Sequence, residues 1–229
     1  MKYTFFSDFD GTITREDVID RILDEFADPK WKEIEQSWVR GEIGSRECLT
    51  LQAKLINAEE RDLLDFVEAI EIDETFVDFV RYCRKEAFGI VVVSDGIDFF
   101  IHTILNRYGL RDVRVYANQL VLNSHGYEML FPHFRKDCLS RSGICKCRVM
   151  EGLSYSSSIN ILVGDGRSDF CIARTAGLTF AKSELINFCR DEKLSHIQFS
   201  EFEDITKWLR DQQGRRTILH SEEHISVVS

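Results

Sequence analysis

No stretch of this 229-residue chain stays apolar for the ~20 residues that a membrane span requires. The opening MKYTFFSDFDGT is interrupted by Asp8 and Asp10, so it does not read as a signal peptide. Positive charge is scarce: 29 Lys and Arg stand against 39 Asp and Glu, a net charge of −10. That balance is the reverse of the basic surface a nucleic-acid binder presents. Internal repeats, low-complexity tracts and paired Cys-x-x-Cys spacings are missing too. These absences point to a cytoplasmic protein that engages neither membrane nor nucleic acid. An acidic chain that handled phosphate would need local positive charge, such as a metal ion.

Hydrophobic residues make up 44% of the chain, enough for a core domain plus a modest insert. Three short apolar runs read as buried strands of a parallel sheet covered on both faces: Tyr3–Ser7, Gly89–Val93 and Ile159–Val163. All three end in acidic or small polar residues, and open α/β sheets bind ligands beyond the carboxyl ends of their strands. Between the first two strands runs a helical pattern, with Asp28-Pro29 and Asn57-x-x-Glu60 as candidate helix starts. A parallel crossover needs only about a dozen residues, so the excess is expected to form a helical subdomain over residues 14–75. The core then comprises 1–13 and 76–213. Leu120–Leu130 reads as a hairpin, Pro132 to Cys147 as irregular, and residues 214–229 as a loose tail.

The sharpest local signal is Asp8-Phe9-Asp10-Gly11-Thr12 directly after a strand. Residues two apart in extended chain point the same way, so Asp8 and Asp10 can face one site while Phe9 packs inward. Two carboxylates about 4 Å apart repel by roughly 4 kcal/mol at an effective dielectric near 20, so they need a cation or a shared proton. A simple Asp-Gly turn is the alternative. A second acidic cluster, Asp165 and Asp169 in Gly164-Asp165-Gly166-x-x-Asp169, follows another buried strand, with a helix cap as its alternative. These carboxylates suit a hard divalent cation, magnesium first. Ser94, with the amides of Asp95 and Gly96, could bind phosphate or simply cap a helix.

Together, DFDGT (Asp8–Thr12), VVVSDG (Val91–Gly96), a lysine and GDGRSD (Gly164–Asp169) resemble the four motifs of the haloacid-dehalogenase superfamily of phosphohydrolases. They occur in that family's order across nearly the whole chain. The helical insert resembles the subclass that includes phosphoserine phosphatase. Ile97–Phe100, the Cys-containing run before Lys146 and the stretch Phe180–Cys189 resemble the methylthiopentenyl-phosphate phosphatases of methionine salvage. GDGRSDFC also resembles phosphoethanolamine/phosphocholine phosphatases.

The resemblance implies a Rossmann-like core with a helical cap and a Mg²⁺-dependent phosphomonoesterase acting on a small metabolite. It makes Asp8 the nucleophile and Asp10 the general acid and base. Mg²⁺ would be held by Asp8, the carbonyl of Asp10 and Asp165, with Asp169 in support. Thr12, Ser94, the amides at Asp95 and Gly96, and a lysine would bind the phosphoryl oxygens. Lys146 is the expected lysine, with Lys136 and Lys182 as competitors. Asp17 falls where phosphoserine phosphatases carry a substrate-clamping glutamate, and Arg15, Glu16 and Asp17 are candidate substrate contacts. No arginine matches the second clamp, with Thr50 near its expected place. Cys138, Cys145 and Cys147 with His133 read as reduced thiols rather than a zinc site; a metal there would brace the loop carrying Lys146. The alternatives are a phosphatase for phosphoethanolamine, phosphocholine or phosphoserine, and a non-catalytic metabolite-binding domain.

Overall fold

The structure is a computed structural model in which residues 2–138, 140–154 and 158–225 are described, with side chains described as far as Gly214. The fold is α/β: seven strands form one sheet in the order β4-β3-β2-β1-β5-β6-β7. Strand β1 (Lys2–Ser7) lies at its centre, between β2 (Gly89–Ile97) and β5 (Ser158–Gly164), in parallel with both. Successive side chains of β1 enter different cores. Phe5 packs with Phe79 of α5 (Thr75–Lys85), in the core that also holds Phe202 of α10 (Phe202–Ile225), whereas Phe6 joins Val91, Leu162 and Leu185. A strand covered on both faces buries every position, which explains why its sequence is continuously apolar.

The chain leaves β1 toward β2 on one side and reaches β5 on the other, so the strand order reverses at β1. In open α/β sheets a crevice forms at such a reversal, beyond the carboxyl ends of the strands. On the outer side of β2, β3 (Arg114–Asn123) pairs in parallel with β2 and then turns into antiparallel β4 (Gly126–Leu130). The hairpin expected at Leu120–Leu130 is therefore present, with its first arm extended back into the main sheet. Strands β6 (Leu178–Ala181) and β7 (His196–Gln198) complete the other edge; at four and three residues they are too short to give a sequence pattern.

Four helices lie between Thr14 and Ile72: α1 (Val18–Phe26), α2 (Trp31–Val39), α3 (Ser45–Ala53) and α4 (Glu60–Val67). An antiparallel bridge between Thr14 and Ile72 closes this excursion at its base, and the N–H of Asp73 donates to the carbonyl of Ile13 at 2.8 Å. The capping box of α4 is Glu59 with Asp62, not Asn57 with Glu60. Asn57 is engaged elsewhere, its N–H donating to the carbonyl of Phe26 beside the Ala27–Ile56 bridge. Likewise α2 begins at Trp31 because Asp28 and Pro29 form the turn before it, Asp28 accepting from the N–H of Lys30.

The remaining helices are α6 (Asp98–Arg107), α7 (Lys146–Leu153), α8 (Phe170–Ala173) and α9 (Ser183–Asp191). The last helix, α10, continues past Gly214 to Ile225, so the backbone is helical through much of the segment that the sequence leaves without periodicity. Among the described residues no helix is long and apolar enough to cross a membrane.

Candidate active site

The N–H of Asp8 donates to the carbonyl of Val163 at 2.9 Å, continuing the β1–β5 pairing one residue past the strand. This holds the Asp8 side chain at the strand mouth. Its Oδ2 receives Lys146 Nζ at 2.8 Å and the Ser168 hydroxyl at 3.1 Å, and its Oδ1 accepts the N–H of Phe9 at 2.8 Å. Phe9 is fully buried, and its carbonyl accepts the N–H groups of Thr12, Ile13 and Thr14. Gly11 makes this turn possible: its φ is +67°, and a Cβ there would sit 2.6 Å from Asp165 Oδ2. Asp10 emerges from the turn in different company. Its Oδ1 accepts the N–H of Val18 at 2.9 Å, and its Oδ2 accepts the Ser94 hydroxyl at 3.1 Å. Burial, then the charge of Asp17, push its carboxyl well above the usual range.

The second acidic loop meets the first. One oxygen from each of Asp8, Asp165 and Asp169 lies within 4.8 Å of the others. Thr12 donates its hydroxyl to Asp165 Oδ1 at 3.0 Å and does not line the cavity, so it braces a carboxylate where a phosphate contact was expected. The N–H of Asp165 donates to Asp169 Oδ2 at 3.2 Å, and Lys146 Nζ lies 2.8 Å from Asp169 Oδ1. Burial, then Asp8, raise the Asp165 carboxyl to about 6 and the fully buried Asp169 well above its ordinary value. Burial works against the charge of Lys146, yet Asp169 and Asp8 hold its proton on beyond the normal lysine range. Three hard oxygen donors crowded into one place fit a divalent cation.

Of the competing lysines, Lys182 donates to the carbonyl of Thr12 at 3.1 Å, and Lys136 borders a separate hollow with His133 and Arg148. Lys146 alone of the three contacts Asp8. Sequence reasoning put this lysine in an irregular stretch; it opens α7, which rests on the sheet through Val149 and Met150.

Between Val93 and Ile97 the β2–β3 register slips, four residues of β2 spanning what two residues of β3 span from Tyr116 to Asn118. The surplus bulges out Ser94, Asp95 and Gly96 at the cavity. Gly96 spends its N–H on Ser94 Oγ at 2.9 Å. The Asp95 carboxylate turns away, accepting the N–H of Ile144 at 2.9 Å and the hydroxyl of Ser45, at the start of α3, at 2.8 Å.

These groups border a cavity of about 370 Å³ whose opposite wall comes from α1–α3. Asp17, Asp20, Glu35 and Trp38 line that wall. Burial, chiefly, raises Asp17 to about 6 and Asp20 to about 7. Of the three expected substrate contacts only Asp17, which caps α1, reaches the cavity. Arg15 and Glu16 border another hollow, with Glu16 paired to Arg21. Sequence reasoning also missed Ser168, which lies between two motif aspartates, and Arg167, which donates to the carbonyl of Val39 at 2.5 Å. Asp20, Glu35 and Trp38 had helical spacing as their one signal, since Asp17 and Asp20, like Glu35 and Trp38, are three apart. Cys138, Cys145 and Cys147 do not make a three-ligand group among the described residues, and all seven cysteines are free.

The family described as "Putative Phosphatase" matches residues 4–209. The chain belongs to that phosphatase family, within the haloacid-dehalogenase superfamily. As a member it is a phosphoric monoester hydrolase. It is 31% identical over 215 residues to the 2-hydroxy-3-keto-5-methylthiopentenyl-1-phosphate phosphatase of Brevibacillus brevis, covering 93% of this chain and 97% of that one. The protein of the same name from Exiguobacterium is 31% identical over 206 residues, covering 89% and 95%. Among solved structures, a substrate-bound phosphoserine phosphatase superposes with a TM-score of 0.69 at 19% identity, covering 91% of this chain and 98% of its own; that likeness concerns the fold.

Proposed function

We propose that this phosphatase hydrolyses a small phosphorylated metabolite by way of a phosphate ester on Asp8, with Mg²⁺ as cofactor. The observation that carries the reading is the contrast between Asp8, bonded to the Lys146 ammonium, and Asp10, which faces Asp17 and has no cation. Neighbouring carboxyl groups with opposed surroundings divide the roles of nucleophile and acid. The carboxylates of Asp8 and Asp165, with the carbonyl of Asp10 and Asp169 behind them, are the residues that would hold Mg²⁺. Bound there, the ion would neutralise charge on the phosphoryl group.

In the first step an Asp8 oxygen bonds to phosphorus, the ester P–O bond breaks, and Asp10 gives its proton to the leaving alkoxide. Lys146 and Ser168 orient the attacking carboxylate, and Ser94 stands ready for a phosphoryl oxygen. In the second step Asp10, now ionised, takes a proton from a water that attacks phosphorus, and Asp8 departs from inorganic phosphate. The helices α1–α4 act as a cap over the cavity, excluding bulk water. A reducing compartment such as the cytoplasm suits seven free thiols.

The names of the relatives support 2-hydroxy-3-keto-5-methylthiopentenyl-1-phosphate as substrate. The acidic wall favours a second reading, a phosphate ester of an amino alcohol such as phosphoethanolamine or phosphocholine, whose cation would lie against Asp17, Asp20, Glu35 and Trp38. A panel containing these esters, phosphoserine and an aryl phosphate separates the readings by kcat/KM. Hydrolysis is expected to need Mg²⁺, to stop with EDTA, and to fall at least ~10³-fold in Asp8→Asn, which lacks the nucleophile. Hydrolysis that survives EDTA or Asp8→Asn overturns the mechanism, and silence toward every ester under all divalent metals favours a binding domain.

A further inference from the structure

Two of the seven cysteines differ from the rest in placement. Cys48, Cys83, Cys145 and Cys189 are buried, and half-buried Cys138 faces the Ser142 hydroxyl at 3.9 Å and the thiol of buried Cys145. Cys147 and Cys171 are both half-buried, and the Cys147 thiol donates to Cys171 Sγ across 3.3 Å. The two sulfurs are only about 1.2 Å farther apart than in a covalent disulfide. Cys147 follows Lys146 in the first turn of α7, and Cys171 stands in α8 two residues after Asp169. The pair therefore joins the two short helices whose preceding or leading residues make the 2.8 Å Lys146–Asp169 contact beneath Asp8.

We propose that Cys147 and Cys171 form a redox modification site, which hydrogen peroxide closes to a disulfide and which thereby slows the phosphatase. The Cys171 sulfur accepts a hydrogen bond and is positioned to attack. It bonds to one peroxide oxygen, the O–O bond breaks, and the other oxygen leaves as hydroxide that takes up the thiol's proton. The Cys147 sulfur then attacks the resulting sulfenic acid; the S–S bond forms, the S–O bond breaks, and water leaves with the Cys147 proton. Two thiols are oxidised by two electrons and one peroxide is reduced to two waters. Drawing α7 toward α8 shifts Lys146 and Asp169 relative to Asp8. Misplacement of catalytic groups by about 1 Å costs up to ~10²-fold in rate.

The slowing rests on the proposed catalytic roles of these residues, whereas the disulfide itself does not. Full-length protein is treated with hydrogen peroxide and then with dithiothreitol. The expected result is a fall from seven titratable thiols to five, a mass loss of two hydrogens, and a Cys147–Cys171 peptide cross-link. Aryl phosphate hydrolysis falls ~10- to 100-fold and returns on reduction. Cys147→Ser and Cys171→Ala each retain their activity through the same treatment. Unchanged thiol count, a cross-link between other cysteines, or equal inactivation of the variants overturns the site. A disulfide that leaves hydrolysis unchanged overturns its control of activity, and thiol count and mass decide the pair even if no ester is hydrolysed.

Discussion

The two walls of the cavity are both acidic, but they handle their charge differently. On the sheet side, Asp8 and Asp169 share the ammonium of Lys146, and hydroxyls and amides take up the remaining oxygens. On the helical side, Asp17 accepts from the N–H groups of Asp20 and Ile19, and Glu35 accepts from Gln52 Nε2 at 2.9 Å and from the Cys48 thiol at 3.5 Å. No cation of α1–α3 lines the cavity, although Lys32 acts on Asp20 and Arg167 reaches in from the sheet side over the Trp38 ring. Asp17 is exposed and Asp20 and Glu35 are half-buried at the cavity, none of them in an ion pair among the described residues, so the sheet side is complete as built apart from a metal, whereas the helical side offers carboxylates to a partner that arrives with positive charge. The sheet side matches chemistry common to many substrates, and the helical side is where substrates are told apart.

The largest effect should come from removing the cation that contacts Asp8 and Asp169. Lys146→Met leaves Asp8 and Asp169 facing each other with no ammonium, and breaking a buried ion pair from one side costs about 3–5 kcal/mol. Urea unfolding is expected to show that loss, and kcat on an aryl phosphate is expected to fall with it. Added Mg²⁺ should recover more stability in the variant than in the wild type, because it enters a less compensated site. Equal stability of the two proteins would mean that the carboxylates are already neutral and that the contrast between the walls is false.

A smaller effect is expected across the cavity. Glu35→Gln keeps the shape of the side chain and the contact to Gln52, and removes one charge from the helical wall. If that wall reads a cation, the ratio of kcat/KM for phosphoethanolamine to kcat/KM for the aryl phosphate drops ~10-fold, the equivalent of about 1.4 kcal/mol. A ratio that does not move, with a neutral ester remaining the better substrate, would remove the second reading and leave the relatives' named substrate as the stronger one.

The same division explains what could be read from the amino-acid sequence. Asp8, Asp10, Ser94 and Asp165 follow apolar runs, and open α/β sheets gather ligands beyond the carboxyl ends of such strands. Lys146 required the resemblance as well, because the fourteen residues from Pro132 that precede it have no period. The acidic wall was nearly invisible. Asp17 and Asp20 open α1 and Glu35 lies in α2, and their convergence depends on how α1 and α2 pack, for which a charge on an amphipathic helix gives no sign. Asp95 shows the limit from the other direction. The sequence announces a carboxylate in the phosphate loop, and only the tertiary contact to Ser45 and the Ile144 amide reveals that it fastens α3 to the core.

The finest distinction between the walls is thermodynamic. Asp20 has a folded-state value of about 7 against an ordinary 3.8, raised by burial and then by Asp17, Glu35 and Asp24, with Lys32 opposing. Between those values the folded protein binds a proton that the unfolded chain has released, so stability falls as pH rises through that interval. Asp20→Asn removes this dependence. Its Tm relative to wild type should be nearly level at pH 4 and should gain a few degrees by pH 8, since the wild type alone must ionise a crowded carboxyl. A flat difference across that range would place the charge of Asp20 in open water, and the helical wall would then lack the unmet demand for a cation that sets it apart from the sheet side.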